Sequence, residues 1–235
     1  MMQAIDIGHV TLERDGTGVF SDLTLRLTER RIGIVGRNGA GKSSLIRLIT
    51  GLVAPQKGRV VVNGVDVAAD RAGALGTVGL LFQNPDHQII FPVVRDEIAF
   101  GLEQKGLKRA AALARAEAVL AAQGRADWGD RLCHTLSQGQ RQLLCLMSIL
   151  AMEPDWILFD EPFNALDLPT ALSIEARIAG LAQNVVLVTH DPSRLTGFDR
   201  ILWLEGGRIE ADGPPAEVLP RYIAAMQVLA RAGAC

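Results

Sequence analysis

The sequence predicts an α/β fold in which buried parallel strands alternate with helices. Residues 32–35 form a short apolar run, and the residues after Ser43 keep helical spacing up to a stop at Gly51. Two later apolar runs, at 156–160 and 185–190, are separated by a helical segment. Continuous apolar runs of this length are typical of strands buried on both faces, so the pattern favours a mostly parallel sheet.

The N-terminal part of the chain has a different period. Residues 5–12 and 18–27 alternate apolar and polar side chains, with the turn-forming sequence Asp-Gly-Thr at 15–17 between them. Residues 58–64 form a further strand that ends in an Asn-Gly turn. These strands predict an N-terminal antiparallel β subdomain beside the parallel sheet.

The remaining segments are mostly helical. Helices are predicted at 96–104, 110–123, 138–152 and 170–183, a hairpin at 200–210, and a final amphipathic helix after Pro214 and Pro215. The first two helices are rich in alanine and form a helical insert at about 92–138. The whole chain, 1–235, is predicted to be a single domain, a size that buries a sizeable core without metals or disulfides.

A phosphate-binding loop is the strongest local signal. Residues 36–43 read G-x-x-x-x-G-K-S between the apolar strand and the helix, which is the context that such a loop needs. Its predicted nucleotide contacts are Gly36, Arg37, Asn38, Gly39, Ala40, Gly41, Lys42, Ser43 and Ser44. Lys42 is expected to reach the β- and γ-phosphates, and the Ser43 hydroxyl to ligate Mg²⁺. The fold class is therefore an α/β fold with a P-loop NTPase core.

Two adjacent carboxylates end a later strand. Asp160 and Glu161 follow the apolar run 156–159, at the strand end where open α/β sheets place ligand-binding groups. Asp160 is expected to hold Mg²⁺ through water, and Glu161 to polarise the attacking water as general base. Taken alone, the pair also fits a strand end capped by solvated acids.

The pentamer at 136–140, Leu-Ser-Gln-Gly-Gln, directly precedes the longest helix. Ser137 is a suitable N-cap, and Gly139 permits close approach of the backbone to an anion. Taken alone, the pentamer fits a simple helix cap better than a ligand site.

Composition narrows the possible partners. The net charge is -2 and the isoelectric point about 6.1, which argues against a general nucleic-acid binder. The hydrophobic fraction of 49% and mean hydropathy of +0.21 are high. The longest apolar stretch, 143–152, is nevertheless much shorter than the ~20 residues of a transmembrane helix. A cytosolic protein that docks apolar surface on a partner fits both facts.

The order of these motifs resembles the nucleotide-binding subunits of ABC transporters. The matching features are the phosphate loop, Gln83 after a strand, the signature pentamer 136–140, the acidic pair Asp160 and Glu161, the dimer-contact loop at Ala165, Leu166 and Asp167, and the switch histidine His190. The resemblance extends over nearly the whole chain.

This resemblance implies a head-to-tail homodimer with two ATP molecules between the subunits. Ser137 and Gly139 would contact the γ-phosphate of the nucleotide held by the other copy, with Gln140 and Asp167 as further contacts. Lys42, Gln83, Glu161 and His190 would be the catalytic residues. Ser43, Gln83 and Asp160 would surround Mg²⁺. The implied activity is ATP hydrolysis coupled to membrane transport.

The segments 84–92 and 95–101 resemble the ATPases of energy-coupling factor importers of vitamins and metals. In that group the Asn-Pro-Asp-x-Gln stretch forms a short helix against a transmembrane coupling subunit. Asp86, Gln88 and Glu97 are the implied docking residues. The implied setting is the cytoplasmic face of the membrane, as a peripheral protein, with a substrate-binding membrane subunit as a further partner. Biotin is the first expectation for the cargo, and cobalt or nickel the alternative.

The adenine-stacking position departs from the family pattern. The aromatic residue that usually stacks on adenine is replaced by Glu13, which leaves Arg14 as the candidate to lie on the base. Other ABC ATPases stay open as alternatives: the ATPase of a binding-protein-dependent importer or an exporter, and a soluble non-transport ABC ATPase. A GTPase or small-molecule kinase is disfavoured by the signature pentamer.

Overall fold

The computed structural model describes residues 3–14 and 16–233. In chain order the elements are β1 (Ile5–Arg14), β2 (Thr17–Leu27), β3 (Arg31–Val35), α1 (Lys42–Ile49), β4 (Lys57–Val62), β5 (Val65–Asp66), α2 (Arg71–Thr77), β6 (Val78–Leu81), α3 (Val94–Gln104), α4 (Arg109–Ala122), α5 (Gln138–Ala151), β7 (Trp156–Asp160), α6 (Leu168–Ala179), β8 (Asn184–Val188), β9 (Arg200–Glu205), β10 (Arg208–Gly213) and α7 (Pro215–Arg231). They form two compact units, one of residues 1–70 and 184–235 and one of residues 71–183. We call these the first and the second unit.

The first unit contains the predicted antiparallel sheet, with strand order β2-β1-β4-β5. The predicted hairpin of β1 and β2 is confirmed, although Asp15 of its turn lies outside the described residues. Asn63 and Gly64 both have positive φ, 49° and 87°, as the Asn-Gly turn between β4 and β5 requires. Alternating burial places one face of β1, including Ile5 and Ile7, in the core.

The same unit holds the strands around the phosphate loop. β3 pairs in parallel with β8 and with β9, and β10 pairs antiparallel with β9. Ile32 and Ile34 of β3 are fully buried, as are the valines of β8, which explains the continuous apolar runs in the sequence. This arrangement confirms the predicted parallel pairing and places residues 36–41 directly after a buried central strand.

The second unit is mostly helical. β6 and β7 form a parallel pair, and α3, α4 and α5 pack around one apolar cluster. In α4, Ala112, Ala116 and Leu120 lie four residues apart on one buried face, so the small side chains let this helix approach its neighbours closely. The insert predicted at 92–138 contains α3 and α4. The single domain spanning 1–235 stays a prediction.

The bounds of α6 differ from the sequence-based prediction at both ends. The helix predicted at 170–183 is α6, which begins at Leu168, because Asp167 is its N-cap and Pro169 is compatible with its first turn. α6 ends before Gly180. In the part of the chain that the structure describes, no helix combines the length and the apolar character needed to cross a membrane.

Candidate nucleotide-binding site

The phosphate loop joins β3 to α1, and two of its glycines are required by the backbone. Gly36 has φ 154°, and a Cβ atom added there would lie 2.1 Å from the carbonyl oxygen of Leu204. Gly41, the N-cap of α1, has φ 103°, a left-handed conformation that disfavours other residues. The G-x-x-x-x-G spacing predicted from the sequence is therefore a requirement of this loop's path.

Lys42 lies inside the loop rather than extending into solvent. Its side chain is buried, with 6% exposure. The Nζ atom donates hydrogen bonds to the carbonyl oxygens of Gly36 at 2.7 Å and Arg37 at 2.9 Å. These contacts hold the ammonium group at the centre of the loop, where it can donate to an incoming phosphate.

Tyr222 of α7 contacts the same loop and was not identified from the sequence. Its hydroxyl hydrogen-bonds to the backbone of Gly36, and burial raises the pKa of Tyr222 above its usual value. Its ring packs edge-on against Trp203 of β9, with centroids 5.5 Å apart. The last helix therefore helps to hold the start of the phosphate loop.

At the predicted adenine position, the backbone of Glu13 is fixed by a side chain. The Glu13 N–H donates to Gln56 Oε1 at 2.9 Å, and Gln56 Nε2 donates to the Glu13 carbonyl at 3.1 Å. Arg14 follows, exposed at the end of β1. Its stacking on a base stays a prediction.

The acidic strand end lies in the second unit. Asp160 is the last residue of β7, and Glu161 has φ 51°, a conformation that a non-glycine residue rarely adopts. Asn164 Nδ2 donates to Glu161 Oε2 at 2.7 Å, which orients the carboxylate. Backbone strain of this kind is often found at functional positions, which supports the predicted role of Glu161.

Gln83 is exposed, two residues beyond β6, and its neighbour in sequence is held by a side chain of α5. Gln142 Nε2 donates to the carbonyl oxygens of Phe82 at 3.3 Å and Pro162 at 3.4 Å. Gln142 is buried. Its side-chain amide links the backbone next to Gln83 to the backbone next to Glu161. Gln142 belongs to no sequence motif, so only the structure identifies these contacts.

The predicted cap of α5 is confirmed. The Gln140 N–H donates to Ser137 Oγ at 3.3 Å, and the Ser137 N–H donates to Gln140 Oε1 at 2.9 Å, which is a complete capping box. Gly139 lies against α6, because a Cβ atom there would be 2.3 Å from Thr170 Cγ2. The signature pentamer therefore has a fixed backbone that leaves no room for a side chain at residue 139.

Asp167 and His190 lie at the ends of elements. The Thr170 N–H donates to Asp167 Oδ1 at 3.0 Å, and hydrogen bonds from Thr170 lower the pKa of Asp167. His190 is exposed, two residues beyond β8, and follows the buried Thr189, whose Oγ1 accepts a hydrogen bond from the Asp191 N–H. The contacts of Asp167 and His190 with nucleotide stay predictions.

The three predicted docking residues have partners within the second unit. Asp86 forms an ion pair with Arg141 at 3.0 Å, and Gln88 Oε1 accepts a hydrogen bond from the Phe82 N–H at 3.1 Å. The residue with the least access to a partner is Glu97, which is only 6% exposed. The short 3₁₀ turn predicted after Asn84 is present at Pro85–His87.

Glu97 acts on the segment before α3. Its Oε2 accepts hydrogen bonds from the N–H groups of Ile90 at 2.9 Å and Phe91 at 2.8 Å, and burial raises its pKa. Ile90 itself is 68% exposed. Both amides bind Oε2, so Glu97 holds the backbone of the exposed Ile90. A contact of the Glu97 carboxylate with a basic partner stays a prediction.

The predicted Mg²⁺ ligands, Ser43, Gln83 and Asp160, offer only hydroxyl, amide and carboxylate oxygen atoms. Oxygen donors of this kind suit Mg²⁺, which keeps several waters and is bound mainly through nucleotide phosphates. The described residues contain no group of three or more His, Cys, Asp or Glu side chains that could hold a metal ion on their own. The donor set therefore fits a metal that arrives with a nucleotide.

A family model described as ABC transporter matches residues 20–164, so the chain belongs to the ABC transporter family. The predicted family and its ATPase activity are thereby confirmed, and so is the fold class.

Individual proteins extend this match. The chain is 99% identical to the biotin transport ATP-binding protein BioM of Rhodobacter capsulatus, over 100% of both chains. It is 37% identical to the energy-coupling factor transporter ATP-binding protein EcfA1 of Halalkalibacterium halodurans, over 80% of this chain and 69% of the relative. The solved structure of cbiO1 from Clostridium perfringens, part of the ABC transporter complex cbiONQ, has a TM-score of 0.75 at 25% identity, covering 97% and 94% of the two chains.

Proposed function

We propose that this chain is the ATP-hydrolysing subunit of an energy-coupling factor importer of biotin. The observation that carries the ATPase assignment is the phosphate loop closed around the buried Lys42 ammonium. The importer type and the cargo rest on similarity to proteins named for biotin transport and for an energy-coupling factor transporter.

The residues of the first unit have the following proposed roles. Lys42 and the loop amides, from Gly36 to Ser44, bind the β- and γ-phosphates of ATP, and Arg14 lies on the base. His190 donates a hydrogen bond to the γ-phosphate. Positive charge fixed within the loop balances the triphosphate without reorganisation of the backbone.

In the second unit, Glu161 is proposed to accept a proton from the attacking water, since its carboxylate is oriented by Asn164. Gln83 orients the same water. Mg²⁺, held by Ser43, Gln83 and Asp160, would neutralise the charge that develops on the phosphates.

A second copy of the chain is proposed to complete each site. Ser137, Gly139, Gln140 and Asp167 would face the nucleotide held by that copy, so that ATP joins the two copies and its hydrolysis releases them. The complete capping box supports this role, because it fixes Ser137 and Gly139 before a nucleotide arrives.

The variant Glu161→Gln tests the ATPase assignment. It keeps the shape of the side chain but removes the base, so turnover is expected to fall by about 10²–10⁴-fold while ATP binding is retained. With ATP bound, the variant protein should accumulate as a dimer, measured by size-exclusion chromatography with light scattering. Glu117→Gln, at an exposed position of α4, is the matched control. Unchanged hydrolysis in Glu161→Gln would remove Glu161 from its proposed role.

The proposed docking surface for a transmembrane coupling subunit consists of Asp86, Gln88 and Ile90, with Glu97 behind it. A peripheral position at the cytoplasmic face of the membrane follows from this proposal. An exposed isoleucine held by a buried carboxylate is suited to an apolar socket in a partner.

The variant Ile90→Asp tests this surface. It is expected to reduce co-purification of the membrane subunits in detergent at least tenfold, while ATP binding is retained, because a charge replaces the apolar contact. Leu107→Asp, at 38% exposure in the same unit, is the control. Equal losses in both variants, or no loss in either, would refute the docking assignment. Retention of labelled biotin, rather than cobalt or nickel, by the purified complex tests the cargo.

A further inference from the structure

A second cavity, distinct from the phosphate loop, opens where α5 begins and α6 passes alongside it. Its volume is about 460 Å³, within the range of small-molecule sites. It is lined by Arg125, Trp128, Ser137, Gly139, Gln140, Leu143, Pro169, Thr170, Ser173, Ile174 and Arg177. We call it the signature cavity. The family pattern accounts for Ser137, Gly139 and Gln140 but assigns nothing to the two arginines.

The lining of the signature cavity carries positive charge without negative charge. Arg125 and Arg177 are its charged residues, and no Asp or Glu lines it. Neither arginine forms an ion pair with a carboxylate among the residues that the structure describes. Four other arginines of the same unit do: Arg95 with Asp130, Arg109 with Asp96 and Glu103, Arg115 with Glu153, and Arg141 with Asp86. The cavity is therefore suited to an anion.

Both guanidinium groups are held by neutral contacts. Arg125 lies over the ring of the buried Trp128, 5.3 Å from its centroid, and donates to the Gly124 carbonyl at 3.0 Å. Its Nε atom is buried and has no hydrogen-bond partner. Arg177 Nη1 donates to Gln123 Oε1 at 2.5 Å. These contacts fix the position of the two groups without neutralising them, which prepares them for a charged ligand.

Hydroxyl groups also line the signature cavity, and exposed apolar side chains lie beside it. Ser137, Thr170 and Ser173 provide hydroxyls in the same lining, which suits phosphate oxygen atoms. On α6, next to Pro169 and Ser173, the side chains of Leu168 and Leu172 are more than half exposed. Exposed leucines beside a charged cavity are typical of a surface that another protein chain covers.

We propose that Arg125 and Arg177 bind the polyphosphate of the nucleotide that a second copy of this chain holds. The two arginines thus act in trans as binding residues beyond the signature pentamer, and each site is incomplete without them. This inference rests on the proposed function, in which Ser137 and Gly139 face the nucleotide of the other copy.

The test uses dimer formation in the Glu161→Gln background, where ATP is bound but not turned over. Arg125→Ala and Arg177→Ala are each expected to raise the ATP concentration for half-maximal dimerisation about tenfold or more, measured by light scattering. ATP binding to the monomer, measured by calorimetry below the dimerisation concentration, should stay within twofold. Arg177→Lys, which keeps the charge, should raise the ATP concentration for half-maximal dimerisation less than Arg177→Ala does.

Arg131→Ala is the matched control. Arg131 also lies over the Trp128 ring, 5.6 Å from its centroid, but does not line the cavity. The ATP concentration for half-maximal dimerisation of this variant should stay within twofold of that of Glu161→Gln alone. An equal loss in this variant would assign the effect to packing of Trp128 and overturn the proposal. The proposal would also be overturned if dimerisation were unaffected in both Arg125→Ala and Arg177→Ala. It would likewise be overturned if these variants lost ATP binding to the monomer as strongly as dimerisation.

The same experiment distinguishes failure of the proposed function from failure of this inference. If Glu161→Gln alone forms no dimer with ATP, the dimeric mechanism is wrong and this inference is wrong with it. If that dimer forms and only the arginine variants behave like the background, this inference alone is wrong. Thermal unfolding of Arg125→Lys and Arg125→Ala checks that the folded state is preserved in the comparison.

Discussion

The phosphate loop and the signature cavity are both cationic, but they hold their charge differently. In the loop, the Lys42 ammonium is buried and bonded to the backbone carbonyls of Gly36 and Arg37. In the cavity, Arg125 and Arg177 rest on an aromatic ring and a side-chain amide. The backbone carbonyls thus hold the Lys42 ammonium in place at the centre of the loop. The cavity presents guanidinium groups that are held by neutral contacts and, among the residues described, have no carboxylate counter-charge.

The two regions also differ in their backbone conformation. The loop depends on glycines with positive φ, and Gly36 could not carry a side chain without a clash at Leu204. The cavity depends on an ordinary helix start, closed by the reciprocal bonds of Ser137 and Gln140. Substitutions in the loop should therefore affect nucleotide binding by one chain. Substitutions in the cavity should affect steps that need two chains.

The variant Lys42→Ala gives the largest effect expected from this comparison. It removes charge-assisted hydrogen bonds to phosphate, each of which contributes about 1.5–3 kcal/mol. ATP affinity of the monomer should fall about 10²-fold or more, measured by calorimetry, and hydrolysis should be lost. Lys57→Ala, which removes an exposed lysine of β4 in the same unit, is the matched control. Retained ATP affinity in Lys42→Ala would contradict the proposed role of Lys42 in phosphate binding.

The variant Ser137→Ala should have a smaller effect of a different kind. Loss of the N-cap should lower the free energy of unfolding by about 1 kcal/mol. Turnover should fall about tenfold, because one hydrogen bond to a charged group is lost. ATP binding to the monomer should be unchanged, as measured by calorimetry.

Two further variants separate the two consequences of Ser137→Ala. Ser137→Thr keeps a capping hydroxyl and should recover most of the stability. Ser148→Ala, on the same helix, removes only a hydroxyl bonded to the Leu144 carbonyl and serves as control. If Ser137→Ala weakened ATP binding to the monomer, the distinction between loop and cavity would be lost.

Local patterns predicted much of the fold and the positions of the motifs. β7 was predicted at its observed bounds, because a run of apolar residues between two turn signals is a local property. The capping box at Ser137 follows from residue types three positions apart. The phosphate loop follows from glycine spacing, since the positive φ angles at Gly36 and Gly41 permit few other residues.

Individual side-chain contacts were not predictable in this way. Glu97 was expected to face a partner, yet its carboxylate accepts hydrogen bonds from residues 90 and 91. Gln142 binds carbonyls 60 and 20 residues away. Neither the arginines of the signature cavity nor Tyr222 belongs to a motif. Only the tertiary structure places the arginines beside the signature pentamer and Tyr222 beside the phosphate loop.

The variant Tyr222→Phe gives the smallest effect. It keeps the ring against Trp203 but removes the hydroxyl that binds the Gly36 backbone. One neutral hydrogen bond contributes about 0.5–1.5 kcal/mol, and only part of it is transmitted to phosphate binding. ATP affinity of the monomer should fall about threefold, with ATP-dependent dimerisation shifted by the same factor and no more. Thr196→Val, which removes an exposed hydroxyl of the same unit, is the control. A larger shift in dimerisation than in monomer binding would show that α7 contributes to the contact between copies as well as to the loop.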